Sequence, residues 1–365
     1  MFRHNSAVQP TRLAATPEDY ARLGIEPHAV KPFEDGMRTD GLPGSFEWWY
    51  FDAHLADGAK LVVVFYTKDA VSGLGTQLAP QIRIDLTLPD GTTTAKVAQL
   101  DPKTFSASST SCDVRIGENR FAGDLHTYTI KARIEEVSVE VTLTGEVPAW
   151  RPETGYWLFG DDDERYFAWL PSVPQGHVEA TYSVDGDGHT TTGVGYHDHN
   201  WGNASMLDLM HHWYWARGAA GPYSVIASYI TAHEHYGYTE LPVFMLARDG
   251  KLIADDATKV TFEQFGRYTD TETGKPVDNV TRYTYTADDE RYVVTFSRHF
   301  DIAGEKFVDQ LKGPKKAAAK LVGFDGAYLR FTGELRIEHF RGEELVDVHS
   351  DDALWELMYF GKARP

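Results

Sequence analysis

The chain has 365 residues, of which 42% are hydrophobic and 24% charged, and its 54 acidic against 35 basic side chains give a net charge of −19. At roughly 100–200 residues per domain this length allows two domains or one large β domain, and the hydrophobic content excludes wholesale disorder. The acidic balance disfavours nucleic acid and anionic membrane as partners, because both need a basic face; the single cysteine, Cys112, excludes an intramolecular disulfide and a zinc site of several cysteines.

The first residues contain no apolar stretch of signal-peptide length, and the longest purely apolar run, residues 61–66, is far shorter than the about 20 residues a helical span needs. We expect a soluble, cytoplasmic protein with no integral membrane segment. Residues 1–44 show no clear period beyond one helix start, Thr16-Pro17-Glu18-Asp19, which supplies a cap, a first-turn proline and first-turn acids. They predict an arm with a short helix.

From Ser45 onward the sequence predicts strands. Residues 47–52 are aromatic-rich and 61–67 are β-branched and aromatic, with Asp57-Gly58 as a hairpin turn between them. Residues 81–88 run into Pro89-Asp90-Gly91, 126–134 and 137–145 alternate apolar and polar, and 178–184 run into Asp185-Gly186. Residues 243–247 lead into Asp249-Gly250, and 327–340 into Arg341-Gly342. The polar stretch 312–320 predicts a surface turn or short helix. The strands fall into two groups, 45–205 and 206–365, each long enough for a closed barrel of roughly eight strands. No linker composition marks the boundary, and no short repeat suggests a solenoid or propeller.

Three clusters could carry chemistry. In Glu47-Trp48-Trp49-Tyr50-Phe51-Asp52, strand alternation puts Glu47, Trp49 and Phe51 on one face and Trp48, Tyr50 and Asp52 on the other. In Tyr196-His197-Asp198-His199-Asn200-Trp201-Gly202, Tyr196, Asp198 and Asn200 share one face and His197, His199 and Trp201 the other. Buried polar groups of this kind need partners or cost about 1–3 kcal/mol each. His197 and His199 form an H-x-H pair, but the next acid is Asp208 and His211-His212 is adjacent rather than alternating, so no metal site is expected. Asp198 offers another chemistry: an aspartate in an apolar pocket is held protonated toward neutral pH and can act as a general acid. The third cluster, Trp213-Tyr214-Trp215-Ala216-Arg217, reads as core packing or as the wall of a pocket. No G-x-S-x-G, P-loop, dinucleotide fingerprint or H-E-x-x-H is present.

These three motifs, in this order, resemble the carotenoid 1,2-hydratase (hydroxyneurosporene synthase) and AttH-like family, over about residues 45–365. The resemblance implies an all-β fold of two tandem lipocalin-like β-barrels behind the short N-terminal helical arm. It also implies activity without a cofactor: members hydrate a terminal isoprenoid double bond, as carotenoid hydratases and kievitone hydratase do, and related fungal proteins catalyse Diels–Alder cyclisations. The hydratases resemble one another in an H-x-W-x-P-x-x-P segment, matched here by Phe167-Ala168-Trp169-Leu170-Pro171-Ser172-Val173-Pro174. Trp169, Tyr196 and Asp198 thus match residues implicated in hydration, whereas Phe167 stands where the hydratases carry histidine.

The leading expectation is acid-catalysed, cofactor-independent hydration of an isoprenoid or prenyl double bond in a hydrophobic small molecule. Asp198 would be the acid, Tyr196 and Trp169 its catalytic partners, and Glu47, Trp49, Phe167, His199, Asn200, Trp213 and Trp215 the substrate-binding residues. A pericyclase acting on a polyene and a non-enzymatic carrier of a lipophilic ligand are the alternatives, because a fold does not fix a function.

Overall fold

The computed structural model describes residues 8–69, 75–310 and 325–363; the polar stretch 312–320 lies outside them. The described chain is mostly antiparallel β and forms two compact units. One is Arg12–Met206; the other takes the described residues before Arg12 together with those from Leu207 onward.

In the first unit the elements are β1 (Thr11–Leu13), α1 (Pro17–Leu23), β2 (Phe46–Leu55), β3 (Lys60–Tyr66), β4 (Gln81–Thr87), β5 (Thr93–Gln99), β6 (Phe105–Ala107), β7 (Cys112–Ile116), β8 (Asn119–Gly123), β9 (Thr127–Ile134), β10 (Val137–Gly145), β11 (Tyr156–Phe159), β12 (Arg165–Val184) and β13 (Asp187–Gly202). Thr16 caps α1 in a reciprocal capping box with Asp19, Pro17 opens the helix, and Gly24 closes it in the left-handed region at φ +67°. The strands hydrogen-bond in the order β5-β4-β3-β2-β13-β12-β10-β9-β8-β7-β6, with β1 and β11 attached beside β12. The sheet curls until β4 and β5 touch β9. Its inner face is packed solid with side chains such as Trp49, Phe51, Ile84, Val114, Val141 and Tyr182. The hairpin signals hold for a stated reason: Asp185-Gly186 has positive φ at both residues, +53° and +89°, the twist a two-residue loop needs between right-twisted strands.

The second unit contains α2 (Met206–Leu209), β14 (Met210–Ala220), β15 (Tyr223–Ala232), β16 (Glu240–Arg248), β17 (Lys251–Ala254), β18 (Val260–Thr269), β19 (Pro276–Ala287), β20 (Glu290–Lys306), α3 (Phe307–Gln310), β21 (Ala327–Arg341) and β22 (Glu344–Tyr359). Its sheet order is β17-β16-β15-β14-β22-β21-β20-β19-β18. It too curls, with β16 meeting β18, around a core that includes Tyr214, Phe244, Phe296, Phe331 and Trp355. Both units are lipocalin-like curled barrels, each with one apolar, filled face.

Candidate active site

The chemistry gathers at the centre of the first unit, where β2, β13 and β12 lie side by side. In the ladder Asp198 faces Tyr50 and Asn200 faces Trp48 on one side, while Asn200 faces Trp169 on the other. Gly195 lets β13 pack this closely, because a Cβ there would sit 2.6 Å from Val178 Cγ2 and 2.9 Å from Asp52 O. Along β12 the register slips twice, between Leu170 and Val173 and between Val173 and Gly176. These slips bracket Pro171 and Pro174, which have no N–H to give the ladder.

Alternation divides the polar residues between the two faces. Away from the core, Asp198 is buried and accepts three hydrogen bonds. Trp169 Nε1–H and the Tyr196 hydroxyl both donate to its Oδ2 at 2.8 Å, and Asn200 Nδ2 donates to Oδ1 at 2.7 Å. Burial pushes the Asp198 carboxyl up to about 6, and it does so against the three donors and the charge of His197, all of which favour the carboxylate. Burial and the Asp198 charge push the Tyr196 hydroxyl well above its ordinary range, so it remains a donor. The surroundings are aromatic: Trp157 lies 6.3 Å from the Trp169 ring and 5.7 Å from Phe167, Trp150 meets Trp169 edge-on at 6.5 Å, and Tyr50 meets Tyr196 edge-on at 6.3 Å. Here is a carboxylic acid with its base form pre-solvated by fixed donors, set among ring faces that favour positive charge. The two donors on Oδ2 and the one on Oδ1 leave a position on Oδ1 for the acid proton.

The core side of the same strands holds a second buried network. His199 Nε2 lies 2.8 Å from Glu47 Oε1. Glu47 also accepts from the Arg38 N–H at 2.6 Å, the Thr39 N–H at 2.9 Å and the Thr39 hydroxyl at 2.6 Å. His197 reaches Asp35, which the turn at Pro32–Asp35 inserts into the barrel, and the Tyr128 hydroxyl donates to the same carboxylate. The Trp49 indole N–H donates to the Asp35 carbonyl at 3.1 Å, and its ring stacks on His199 at 4.6 Å. Glu47, Trp49 and His199, expected at the substrate, therefore lie on the opposite face from Asp198, because β alternation allows no other arrangement.

Asp35, Cys112 and His197 bring ligand-type atoms within 4.8 Å of one another. Both Asp35 contacts, with His197 and Tyr128, fall on Oδ2, while Oδ1 makes no hydrogen bond and lies 3.5 Å from His199 Nδ1; the Cys112 thiol points toward the Phe121 carbonyl at 3.8 Å. Burial raises that thiol well above its usual range.

Of the remaining expected residues, Phe167 and Asn200 join the Asp198 side. Trp213 and Trp215 belong to the second unit, on β14, half-buried on the face opposite Tyr214 and Ala216; the Trp213 ring meets Phe360 at 4.8 Å. Trp150, Trp157, Asp35 and Tyr128 were not singled out from sequence. Trp157 lies in the short apolar run Tyr156–Phe159, which does not alternate, and Asp35 carries no local signal.

Fold and site together define a lipocalin-like double barrel with a buried, aromatic-lined aspartate. The chain belongs to the Diels-Alderase-like family, whose model matches residues 40–275. Among curated proteins it is 25% identical over 196 residues to the quinolone epoxide rearrangement protein asqO of Emericella nidulans (50% of this chain, 53% of that one). It is 26% identical to the Diels-Alderase ucsH of Acremonium sp (52% and 51%) and 26% identical to the hydroxyneurosporene dehydrogenase of Chlorobaculum tepidum (48% and 54%). The chain thus spans about half the length of the curated relatives it matches. Three solved structures share its fold. CghA has a TM-score of 0.63 at 16% identity (93% of this chain, 96% of that one), and a putative AttH from Nitrosomonas europaea has 0.58 at 14% (92% and 97%). Kievitone hydratase from Nectria haematococca has 0.52 at 13% (91% and 93%). Among the described residues no helix is long and apolar enough to cross a membrane.

Proposed function

We propose that this chain is a cytoplasmic, cofactor-independent enzyme that adds water to an isoprenoid or prenyl double bond of a lipophilic small molecule, with Asp198 as general acid. The observation that carries the reading is the Asp198 carboxyl itself: buried, held near neutrality, and bonded by three donors, of which Trp169 packs against Trp150 and Trp157 and Tyr196 against Tyr50. The proton on Oδ1 passes to the less substituted alkene carbon, giving a tertiary cation and the carboxylate. Trp169 and Tyr196 stabilise that carboxylate through hydrogen bonds, and the ring faces of Trp169 and Trp157 stabilise the cation. A water then adds to the cation, and its surplus proton returns to Asp198, which restores the acid. The Asn200 amide donates to Asp198 and its carbonyl can accept from that water.

A second reading, cyclisation of a polyene, is favoured by Phe167. This apolar ring, packed on Trp157, occupies the place of a histidine in the hydratases, and the family is named for Diels–Alder chemistry. The two readings separate on the fate of solvent hydrogen. The purified protein, incubated in D2O with prenylated and polyene compounds and followed by mass spectrometry, is expected to give a product heavier by one D2O with one deuterium on carbon. An isomer of unchanged mass without deuterium on carbon makes the chain a cyclase, and a ligand retained unchanged makes it a carrier.

Trp169→Phe tests the local electrostatics. It removes one charge-assisted donor, worth about 1.5 kcal/mol, so the titration of Asp198 is expected to rise by about one pH unit. A titration that stays in place would show that Trp169 contributes bulk alone.

A further inference from the structure

We infer that His197, paired with Asp35 on the core side of the sheet, is a positioning residue for Asp198 on the other side of the same strand: it tethers the residue opposite Asp198 and places a fixed positive charge beneath it. This rests on the reading of Asp198 as the acid.

The tether is geometric. His197 Nδ1 lies 2.8 Å from the Tyr50 carbonyl oxygen, which can only accept, so Nδ1 carries a proton. Tyr50 is the ladder partner of Asp198. On the far side of the sheet the Tyr50 ring contacts Tyr196, and its hydroxyl donates to Asp52 Oδ2 at 3.1 Å. One imidazole therefore fixes the strand on which the acid and its hydroxyl donor are registered. Its own freedom is small: the ring is fully buried between Phe121 and Tyr128, with ring centres at 4.6 Å and 4.4 Å.

The charge follows from the other nitrogen. His197 Nε2 lies 3.2 Å from Asp35 Oδ2. Burial raises the Asp35 carboxyl, but the charges of His197 and His199 and the Tyr128 hydroxyl bond outweigh it, and the group is held below the usual carboxylate range. The Tyr128 hydroxyl is itself pushed well above its range by burial, so it donates and supplies no charge. With an acceptor on each nitrogen, the His197 ring carries both protons. The other titratable groups facing it are Cys112, whose buried thiol stays neutral, and beyond it His199 with Glu47.

The placement solves a conflict in alkene protonation. The acid must be strong when it reacts, which a neighbouring positive charge promotes. An imidazole on the substrate side would add a second nucleophile beside the cation, next to the Asp198 carboxylate that proton transfer leaves there. Putting the pair behind the sheet gives Asp198 the field without that second nucleophile.

The test needs no substrate. Asp198 is titrated by infrared difference spectroscopy on protein carrying labelled aspartate, with Asp198→Asn to assign the band, in wild type, in His197→Asn, which keeps a donor near the Tyr50 carbonyl, and in His197→Gln. Loss of the charge is expected to make the acid about tenfold weaker in both variants, the size of a unit charge a few ångströms away in a protein of intermediate dielectric. An unchanged midpoint in folded variants would overturn the inference while leaving Asp198 as the acid. A wild-type midpoint near that of an exposed aspartate would instead overturn the reading of Asp198. Should the variants not fold, nitrogen NMR of the wild-type ring decides: both His197 nitrogens protonated at pH 7 is the expected state, and a neutral ring contradicts it.

Discussion

At pH 7.5 the Asp198→Asn protein will be more stable than its parent, although its turnover falls by about 10²–10⁴, the contribution of a general acid. The sign follows from the direction of the shift. The folded carboxyl titrates at about 6 against 3.8 when exposed, so the folded chain holds the proton more tightly than the unfolded one. The stability this contributes is complete below pH 4 and is lost as the pH rises through 6. Above that, the buried carboxylate costs about 3 kcal/mol relative to the neutral acid. Asparagine removes the charge and keeps the shape. Its carbonyl can accept from Trp169 and Tyr196, and the Asn200 amide turns its carbonyl toward the new NH2. The expected gain is about 2–3 kcal/mol at pH 7.5 and near zero at pH 4, read from urea midpoints at the two pH values. A variant destabilised equally at both would show that Asp198 is a structural carboxylate.

The largest loss of stability is expected at Arg151, outside the Asp198 cluster. Its guanidinium is buried and donates through Nε to Glu34 Oε2 at 2.7 Å and through Nη2 to the carbonyls of Glu26 and Ala29 at 2.8 and 3.1 Å. It also donates to the Glu153 carbonyl, and it lies over the Tyr20 ring at 5.9 Å. One side chain thus anchors the segment that delivers Asp35 to the barrel interior. Arg151→Met leaves the Glu34 carboxylate buried without a counter-charge, at a cost of about 3–5 kcal/mol. Arg151→Met with Glu34→Gln is expected to recover more than half of that loss in a denaturation cycle. A single variant that loses less than about 1 kcal/mol would mean that water replaces the guanidinium.

The two largest effects fall on residues of unequal visibility. Asp198 stands out in the sequence as an aspartate between two histidines, in a strand flanked by glycines and tryptophans, although an aspartate that hydrogen-bonds a turn is an ordinary structural alternative. The alternation of β2 and β13 was legible too, since a period of two assigns every side chain to a face. Alternation already separates His199 from Asp198, but it does not say which face is the core, so nothing local shows that Glu47, Trp49 and His199 point into the barrel. The pattern that predicts a strand over 178–184 does not reach back to Arg165, where β12 begins; Pro171 and Pro174 sit at two register shifts inside that one long strand. Asp35 and Arg151 could not have been found locally. Each lies in a segment without period, and its role comes from partners far along the chain: His197 and Tyr128 for Asp35, Glu34 and Glu26 for Arg151.

The central claim is that Asp198 is an acid held near neutrality by burial, and a direct titration tests it. Infrared or carbon NMR spectra of protein carrying labelled aspartate, recorded from pH 3 to 9, are predicted to show one carboxyl with a midpoint near 6 that vanishes in Asp198→Asn. A midpoint at or below the ordinary aspartate range, with the carboxylate already formed at pH 5, would contradict it.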